Sequence, residues 1–363
     1  MSRIAPPVSP IASPTVWAAP FALLFLLAAG GALAQDGQGP KLDWVELAMG
    51  CLGGLAFFLL GVSELAEGLK VAAGDRVKRL LNHATAGPIR GLATGIAATT
   101  ILDSSSVTII LLIGLVDSGL LGFAQTLPVI LGSNIGTTIS SQVFALGVDE
   151  YAPVMLAIGL LIRAFAKSDR LTGWGRVISG LGLVLFGLHV LGEAVEPLKE
   201  HPGITGWLRA TETPLRGVLI GAVFTLVIQS SSATLGVVIT LAGGGIVDLP
   251  TGLAIMLGAE IGTCSDTLMA TIGRSRAAVR AGIFHLAFNI VTVAAGVALI
   301  GPLAVLARWS SGEAQHQIAN AHLAFNAAGA LALLWFTPLC ARLLERLVLD
   351  RAGRTVPQPA PAE

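Results

Sequence analysis

Two short stretches decide the fold of this chain, namely Asp103-Ser104-Ser105-Ser106-Val107-Thr108 and Gln229-Ser230-Ser231-Ser232-Ala233-Thr234. Each lies near the middle of an apolar segment, about 91–121 for the first and about 217–247 for the second. A shift of 126 residues aligns residues 88–138 with 214–264 without a gap, and 18 of the 51 aligned positions are identical. Because the identities include proline, arginine, serine and threonine, they indicate an internal duplication rather than a chance match of apolar residues.

The composition predicts an integral membrane protein. Of 363 residues, 54% are apolar and 12% are charged, and the 22 basic side chains balance the 22 acidic ones. Soluble domains carry about 25% charged residues, so this chain has too few to cover a soluble surface. The absence of a basic excess excludes a nucleic-acid binder, since phosphates need positive charge opposite them. The three cysteines form no Cys-x-x-Cys pair, so neither a zinc site nor a disulfide framework is predicted.

Apolar runs divide the chain into membrane segments. Residues 1–34 contain Arg3, the apolar run Trp17–Leu33 and an Ala-x-Ala ending, which is typical of a signal peptide; an uncleaved membrane anchor is the alternative. A crossing takes ~20 apolar residues. Seven further stretches are candidates, the third of them marginal: roughly 44–69, 124–147, 151–167, 177–196, 249–272, 281–306 and 319–341.

The two serine segments are predicted to be re-entrant hairpins. Each is too short for two crossings, which need ~40 residues, so each is one long helix or a hairpin. With hairpins, the basic loops Lys70–Arg90, Lys167–Arg176 and Arg274–Arg280 and the tail 342–363 are all cytoplasmic. That arrangement satisfies the positive-inside rule, and a single crossing would break it.

The resulting architecture is all-α and polytopic, with two inverted-topology repeats in a bacterial plasma (inner) membrane. Residues 44–167 form the first repeat and 177–306 the second, and 319–341 add a further helix. Each repeat contains three crossings, an odd number, so the second is inverted relative to the first. Inverted repeats with broken helices are typical of secondary transporters.

Polar residues at membrane depth mark the candidate site. A hairpin tip frees backbone N–H groups that attract anions, and its hydroxyl and carbonyl oxygens suit sodium. The alternative is that the serines only let helices pack closely. The glycine pairs in Gly132–Thr138 and Gly258–Cys264 predict an unwound transmembrane helix in each repeat, or alternatively a small-xxx-small helix contact. Carboxylates at this depth are functional by default, and Asp103, Glu260 and Asp266 fall inside the predicted site.

A second small duplication pairs His285-x-x-Phe288-Asn289 with His322-x-x-Phe325-Asn326. Histidine, phenylalanine and asparagine at these spacings share one helical face, which indicates interhelical hydrogen bonding or, alternatively, a proton relay. No G-x-S-x-G, Walker or H-E-x-x-H motif occurs, so the chain is not predicted to be an enzyme, and no cofactor is expected. Nothing in the sequence indicates an oligomeric state.

These paired motifs resemble those of the sodium–phosphate cotransporter family, which comprises the type II animal transporters and their bacterial relatives. That family has two inverted repeats, each with a Q-S-S-S hairpin followed by G-[AS]-N-I-G-T, and H-x-x-F-N helices. The resemblance runs from about Trp44 to Arg346. It implies sodium-coupled symport of inorganic phosphate, in a chain expected to lack the PhoU-like C-terminal domain of many bacterial relatives. The substrate-binding positions would be Ser104, Ser105, Ser106, Asn134, Gln229, Ser230, Ser231 and Ser232.

Two departures from the family pattern concern charge. Asp103 stands where the pattern has Gln, and Glu260 stands where it has Asn. Each adds a potential negative charge to an anion site, and Asp103 in low dielectric would pair with sodium or take a proton. The sodium-binding set is predicted to be Asp103, Thr137, Glu260, Gly262 and Thr263. Another oxyanion, proton coupling or export remains an alternative within transport, and a non-transporting membrane scaffold or sensor is the alternative from another class.

Overall fold

A computed structural model describes residues 43–82, 87–200 and 213–349. Over those ranges the chain is helical and contains no strand. The first half comprises α1 (Trp44–Asn82), α2 (Pro88–Leu102), α3 (Ser105–Asp117), α4 (Phe123–Phe144), α5 (Ala152–Phe165) and α6 (Asp169–Val195). The second half comprises α7 (Pro214–Ile228), α8 (Ser231–Gly243), α9 (Leu249–Gly262), α10 (Cys264–Met269), α11 (Arg276–Ala298), α12 (Ile300–Ser310), α13 (Ala314–Leu334) and α14 (Thr337–Leu347).

The two serine segments form helix–turn–helix hairpins with the same local geometry. In the first hairpin (α2–α3), Asp103 ends α2 in the left-handed conformation with φ 50°, and in the second (α7–α8) Gln229 does so with φ 59°. They are the two non-glycine residues with positive φ in the described ranges. The next residue caps the following helix, because Ser104 Oγ accepts from the Val107 amide (3.2 Å) and Ser230 Oγ from the Ala233 amide.

Glycines let each hairpin pack closely on the helix that follows it. A Cβ atom built on Gly132 would lie 2.0 Å from the Leu92 carbonyl oxygen, and one on Gly258 would lie 2.0 Å from the Val218 carbonyl oxygen. The unwinding predicted at Gly132–Thr138 is therefore not found, since α4 is continuous there and the glycines serve helix contact. In the second unit the interruption is one residue long, at Thr263 between α9 and α10.

The equivalent helices α1 and α6 pack against each other in antiparallel directions. Cβ atoms built on Gly54, Gly61 and Gly68 would approach the amide nitrogens of Leu191 (2.7 Å), Val184 (2.4 Å) and Val177 (2.7 Å), respectively. Rising residue numbers on α1 thus meet falling numbers on α6. This is the arrangement that an inverted duplication requires, and the orientation of the two units across a membrane stays a prediction.

Two buried apolar clusters support the two hairpins separately. Residues of the first hairpin, such as Leu102 and Ile109, pack in one cluster with α4, α11 and α13. Residues of the second hairpin, such as Ile228 and Leu235, pack in the other with α1, α6 and α9. Each hairpin therefore packs against its own apolar core.

Fewer helices than predicted are long and apolar enough to cross a bilayer alone. Within the described residues three qualify, Trp44–Ala72, Asp169–Leu198 and Arg276–Ala298, and α13 and α14 qualify only as a pair, which is bent by 76°. The marginal stretch 151–167 forms α5, whose 14 residues reach about 21 Å, less than the ~30 Å hydrocarbon core. The predicted stretch 281–306 divides between α11 and α12. Residues 1–34 and most of the tail 342–363 lie outside the described residues.

Candidate functional site

The two hairpin tips meet at Thr263, the residue between α9 and α10. Ser106 Oγ of the first tip donates to the Thr263 carbonyl oxygen (3.4 Å), and Thr263 Oγ1 donates to Ser231 Oγ of the second tip (3.3 Å). All three side chains are buried. One residue thus links the two halves of the duplication at the centre of the site.

Each tip is braced by a pair of buried threonines. Thr99 Oγ1 donates to Thr108 Oγ1 (2.9 Å) in the first hairpin, and Thr225 and Thr234 share the same bond (2.7 Å) in the second. These bonds join the two limbs of each hairpin directly behind its tip. They hold the two helices of each hairpin together. The backbone N–H and C=O groups at the tip that have no partner within a helix therefore keep a fixed direction.

A carboxylate lies beside the first tip. Asp103 Oδ1 accepts a hydrogen bond from Ser140 Oγ of α4, while its Oδ2 is buried and has no partner among the described residues. The equivalent residue of the second tip, Gln229, is exposed. A shift of 126 residues places Ser140 on Asp266, which accepts a hydrogen bond from Ser265 Oγ (3.3 Å) and lies close to Ser106. Both carboxylates therefore lie beside the first tip, and the second tip carries an amide.

Glu260 is held by the second His-x-x-Phe-Asn helix. Its Oε1 accepts from His322 Nε2 (2.8 Å) and from Asn326 Nδ2 (2.9 Å). His322 Nδ1 in turn bonds with Ser141 Oγ of α4 (2.8 Å). The cluster is buried and joins α9, α13 and α4, so a cation at Glu260 would have to use Oε2.

An uncharged counterpart of this cluster is centred on α11, which carries the first His-x-x-Phe-Asn motif. Asn134, which the repeat aligns with Glu260, donates through Nδ2 to Asn289 Oδ1 (2.9 Å). Thr267, aligned with Ser141, bonds with His285 Nδ1 (2.9 Å), and His285 Nε2 is buried without a partner in the described ranges. Both motifs thus make the interhelical hydrogen bonds predicted for them, each to helices that follow a hairpin.

The structure brings together some of the predicted site residues but not all. Ser104 and Ser230 act as helix caps, and Ser105 and Ser232 are buried in the first turns of α3 and α8. Thr137 Oγ1 donates within its own helix to the Ser133 carbonyl oxygen (3.1 Å). A Cβ atom on Gly262 would lie 2.5 Å from the Ala222 carbonyl oxygen, so this glycine serves packing.

The sequence analysis missed three polar residues of the network, Ser140, Ser141 and Thr267. They lie just beyond the aligned block 88–138 and its counterpart. Extending the same shift by three positions would have paired Ser141 with Thr267 as two hydroxyl residues. Their identity differs between the repeats, which is why a search for identical residues passes over them.

The chemistry of the centre suits small ions bound by oxygen and N–H groups. In the described part of the chain, no three His, Cys, Asp or Glu side chains are grouped as a transition-metal site would need. The centre offers hydroxyls, carbonyls and carboxylates for a hard monovalent cation, and helix N-termini at Ser105 and Ser231 for an anion.

Comparison of the sequence with known proteins shows which family the chain matches. The family described as Na+/Pi-cotransporter matches residues 57–193, which contain the first hairpin, and residues 202–333, which contain the second. The chain belongs to the Na+/Pi-cotransporter family. The resemblance drawn from the paired motifs is thereby confirmed, and so is the expectation of a helical membrane protein.

Three relatives show how far the similarity extends. The uncharacterized protein YqeW of Bacillus subtilis is 32% identical over 299 residues, which is 81% of this chain and 96% of YqeW. The putative inorganic phosphate export protein YjbB of Salmonella typhimurium is 26% identical over 82% of this chain, but the match spans only 55% of YjbB. Sodium-dependent phosphate transport protein 2A of the rat is 36% identical over 118 residues, 31% of this chain and 17% of its own length. No solved structure matches the chain.

Proposed function

We propose that this protein is a secondary transporter that moves inorganic phosphate across the bacterial plasma membrane in symport with sodium. The observation that carries the proposal is the convergence of the two hairpin tips on Thr263, with Ser106 on one side and Ser231 on the other. Helix N-termini at both tips supply N–H groups for an anion, and family membership supports phosphate as that anion.

Sodium is assigned to the first tip. A buried carboxylate oxygen without a partner, such as Asp103 Oδ2, is costly in low dielectric, and a cation would neutralise it. Asp266 adds a second carboxylate beside the same tip, and hydroxyl and carbonyl oxygens of Ser106 and Thr263 supply further ligands. Because the bound cation cancels the negative charge before the anion arrives, binding is ordered, with sodium first.

Phosphate is assigned to the second tip. Gln229 has an exposed amide, and Ser231 and Ser232 lie in the first turn of α8, where the backbone N–H groups point out of the helix. The tip residues 229–232 carry no carboxylate. The second tip therefore repels an anion less than the first.

The test is transport by purified protein in sealed lipid vesicles. With radiolabelled phosphate outside and an inward sodium gradient, we expect uptake that collapses when choline replaces sodium. Preloaded vesicles measure efflux, and a pH gradient without sodium measures proton coupling. Ser231→Ala should lower uptake, and Ser118→Ala, an exposed serine at the far end of the first hairpin, serves as the matched control. Equal phosphate flux with sodium and with choline would contradict the sodium coupling, and vesicles indifferent to phosphate would contradict the substrate.

A further inference from the structure

The last helix of the described residues, α14, presents three different faces. One face is buried against α4 and α11 and consists of Thr337, Ala341 and Leu344. The second, the leucine face, is exposed and apolar and consists of Leu339, Leu343 and Leu347. The third, the charged face, is also exposed and consists of Arg342, Glu345 and Arg346. At 3.6 residues per turn, the centres of the three faces lie roughly 120° apart around the helix axis.

The protein fixes the direction in which the two exposed faces point. Ala341 and Leu344 belong to the buried apolar cluster that supports the first hairpin. At the C-terminal end of α14, the buried Arg280 of α11 donates through Nε (2.9 Å) and Nη2 (2.6 Å) to the Val348 carbonyl oxygen. Because α14 is held along one face and at one end, it cannot turn about its axis.

The bend between α13 and α14 gives the direction of the helix axis. α13 has 21 residues and is about 32 Å long, enough for the ~30 Å hydrocarbon core. The polar side chains in its middle, His322 and Asn326, are buried against Glu260 and do not face lipid. α14 is bent by 76° from α13. With α13 as the predicted crossing helix, α14 therefore runs close to the membrane plane.

An exposed apolar surface continues from α13 across the bend onto α14. Leu331 and Trp335 are exposed one turn apart at the end of α13, and Phe336 is exposed in the bend. Phe336 precedes Leu339 by three residues and Leu343 by seven, which places it on the leucine face. Tryptophan at the end of a crossing helix is typical of the level where headgroups meet the hydrocarbon core. The leucine face thus begins at that level.

We propose that α14 lies flat in the boundary between the lipid headgroups and the hydrocarbon core, with its leucine face toward the acyl chains and its charged face toward the headgroups and water. Surface helices of membranes carry leucine and aromatic residues on one face and basic residues on the other. Arg342 and Arg346 outnumber Glu345, and this positive charge suits acidic headgroups. A protein partner would require neither an axis in the membrane plane nor continuity with α13. This inference does not depend on the transport proposal.

The test is a spin-label scan of α14 in the full-length protein, reconstituted in vesicles of phosphatidylethanolamine and phosphatidylglycerol. Alanine first replaces Cys340, since the other two cysteines are buried. Single cysteines then carry the label at Leu339, Arg342, Leu343, Arg346 and Leu347. The scan measures collisions of each label with oxygen, which concentrates in hydrocarbon, and with a nickel chelate, which stays in water. We expect the ratio of oxygen to nickel collisions to be severalfold higher on the leucine face, whose labels should lie about 5–10 Å into the boundary.

Two control positions define the limits of that ratio. Val291 is exposed on the crossing helix α11 and should give the oxygen limit, whereas Glu313, exposed in the connection before α13, should give the nickel limit. Few collisions with either reagent on the leucine face would indicate a covering protein, such as a second copy of this chain, and would overturn the proposal. High ratios on both faces would place α14 inside the bilayer, and low ratios on both would place it in water. Either result would also overturn it.

Discussion

Asp103 combines a left-handed backbone conformation with a buried carboxylate oxygen. It ends α2 in the left-handed conformation, bonds with Ser140, and leaves Oδ2 without a partner in the described ranges. Asp103→Gln removes the charge. Gln229 shows that glutamine is compatible with this backbone conformation. Because sodium would lose its neutralising partner, we expect the sodium dependence of phosphate uptake to change in steepness or half-saturation, measured by sodium titration in proteoliposomes.

The control for that variant is Asp248→Asn. Asp248 is an exposed carboxylate that caps α9, and asparagine caps helices about equally well. Its sodium titration should match that of the wild type. If Asp103→Gln also matches the wild type at normal expression, Asp103 does not bind the coupling ion.

Gln229 is the proposed anion contact of the second tip. Gln229→Ala removes an amide donor and acceptor, and leaving a bound group unsatisfied costs about 1–3 kcal/mol. The half-saturation concentration for phosphate should therefore rise roughly tenfold. Gln229→Gly controls for backbone strain, because glycine adopts φ 59° freely and should show the same loss of affinity. A normal half-saturation in both variants would contradict the assignment.

Glu260 is expected to stabilise the fold through its two donors. Removing one partner of a buried pair costs about 3–5 kcal/mol, so Glu260→Ala should lower the unfolding temperature strongly. Glu260→Gln keeps an acceptor for Asn326 and should be much milder, as the neutral pair that Asn134, the counterpart of Glu260, forms with Asn289 suggests. Thermal unfolding in detergent compares the two variants. Equal losses would mean that the charge, rather than the hydrogen bonds, stabilises the cluster.

At the scale of helices, glycine contacts set the distance between each hairpin and the helix that follows it. Gly132→Ala would place a Cβ atom 2.0 Å from the Leu92 carbonyl oxygen, so α2 and α4 must move apart. Overpacking of this kind costs about 1–3 kcal/mol. The matched control is Gly114→Ala in α3, where nothing lies within 4 Å of the new atom and alanine favours the helix. The first variant should lower the unfolding temperature and the second should not.

A pH-sensitive set of hydrogen bonds joins the C-terminal end of α3 to the connection that precedes α11. Asp117 accepts from the Ser275 amide (2.7 Å) and from Arg274 Nη1 (3.3 Å), and these bonds, the Ser275 amide foremost, lower the pKa of Asp117. The ionised group therefore stabilises the fold above its ordinary pKa of about 3.9, and this contribution is lost as pH falls through the lowered value.

The corresponding variant is Asp117→Ala. The difference in unfolding temperature between wild type and variant should be largest near neutral pH and should shrink below about pH 4. Thermal unfolding measured from pH 3 to pH 7 checks this expectation. A difference that stays constant over the range would show that the charge of Asp117 contributes nothing.

At the scale of the whole molecule, side-specific labelling tests the inverted topology. Ile89 and Leu120 are exposed at the two ends of the first hairpin, and Leu215 is exposed at the start of the second. Cysteines at Ile89 and Leu120 should react with a membrane-impermeant reagent from one side, and a cysteine at Leu215 from the other. Labelling of the first two from opposite sides would exclude the first re-entrant hairpin.

The hairpins could be predicted from sequence because their signals are local. A proline begins each hairpin, and a serine caps the second helix of each. The predicted segment 91–121 agrees with the observed first hairpin, whose helices are Pro88–Leu102 and Ser105–Asp117. The function of the glycine pairs could not be predicted, since unwinding and close packing need the same residues. The hydrogen-bond partners of Glu260 could not be predicted from the sequence either, because His322 lies 62 positions away and only tertiary packing brings the two together.

The position of Thr263 has a consequence for the proposed transport cycle. The duplication aligns Thr263 with Thr137, Ser106 with Ser232 and Ser231 with Ser105. In this conformation Thr263 joins the tips, while the hydroxyl of Thr137 is turned back onto its own helix. Exchanging the roles of the two units would give a second conformation in which Thr137 bridges Ser232 and Ser105. Because the units are expected to be inverted, that conformation would open toward the opposite face of the membrane. Thr263 and Thr137 would then alternate in holding the two hairpin tips together.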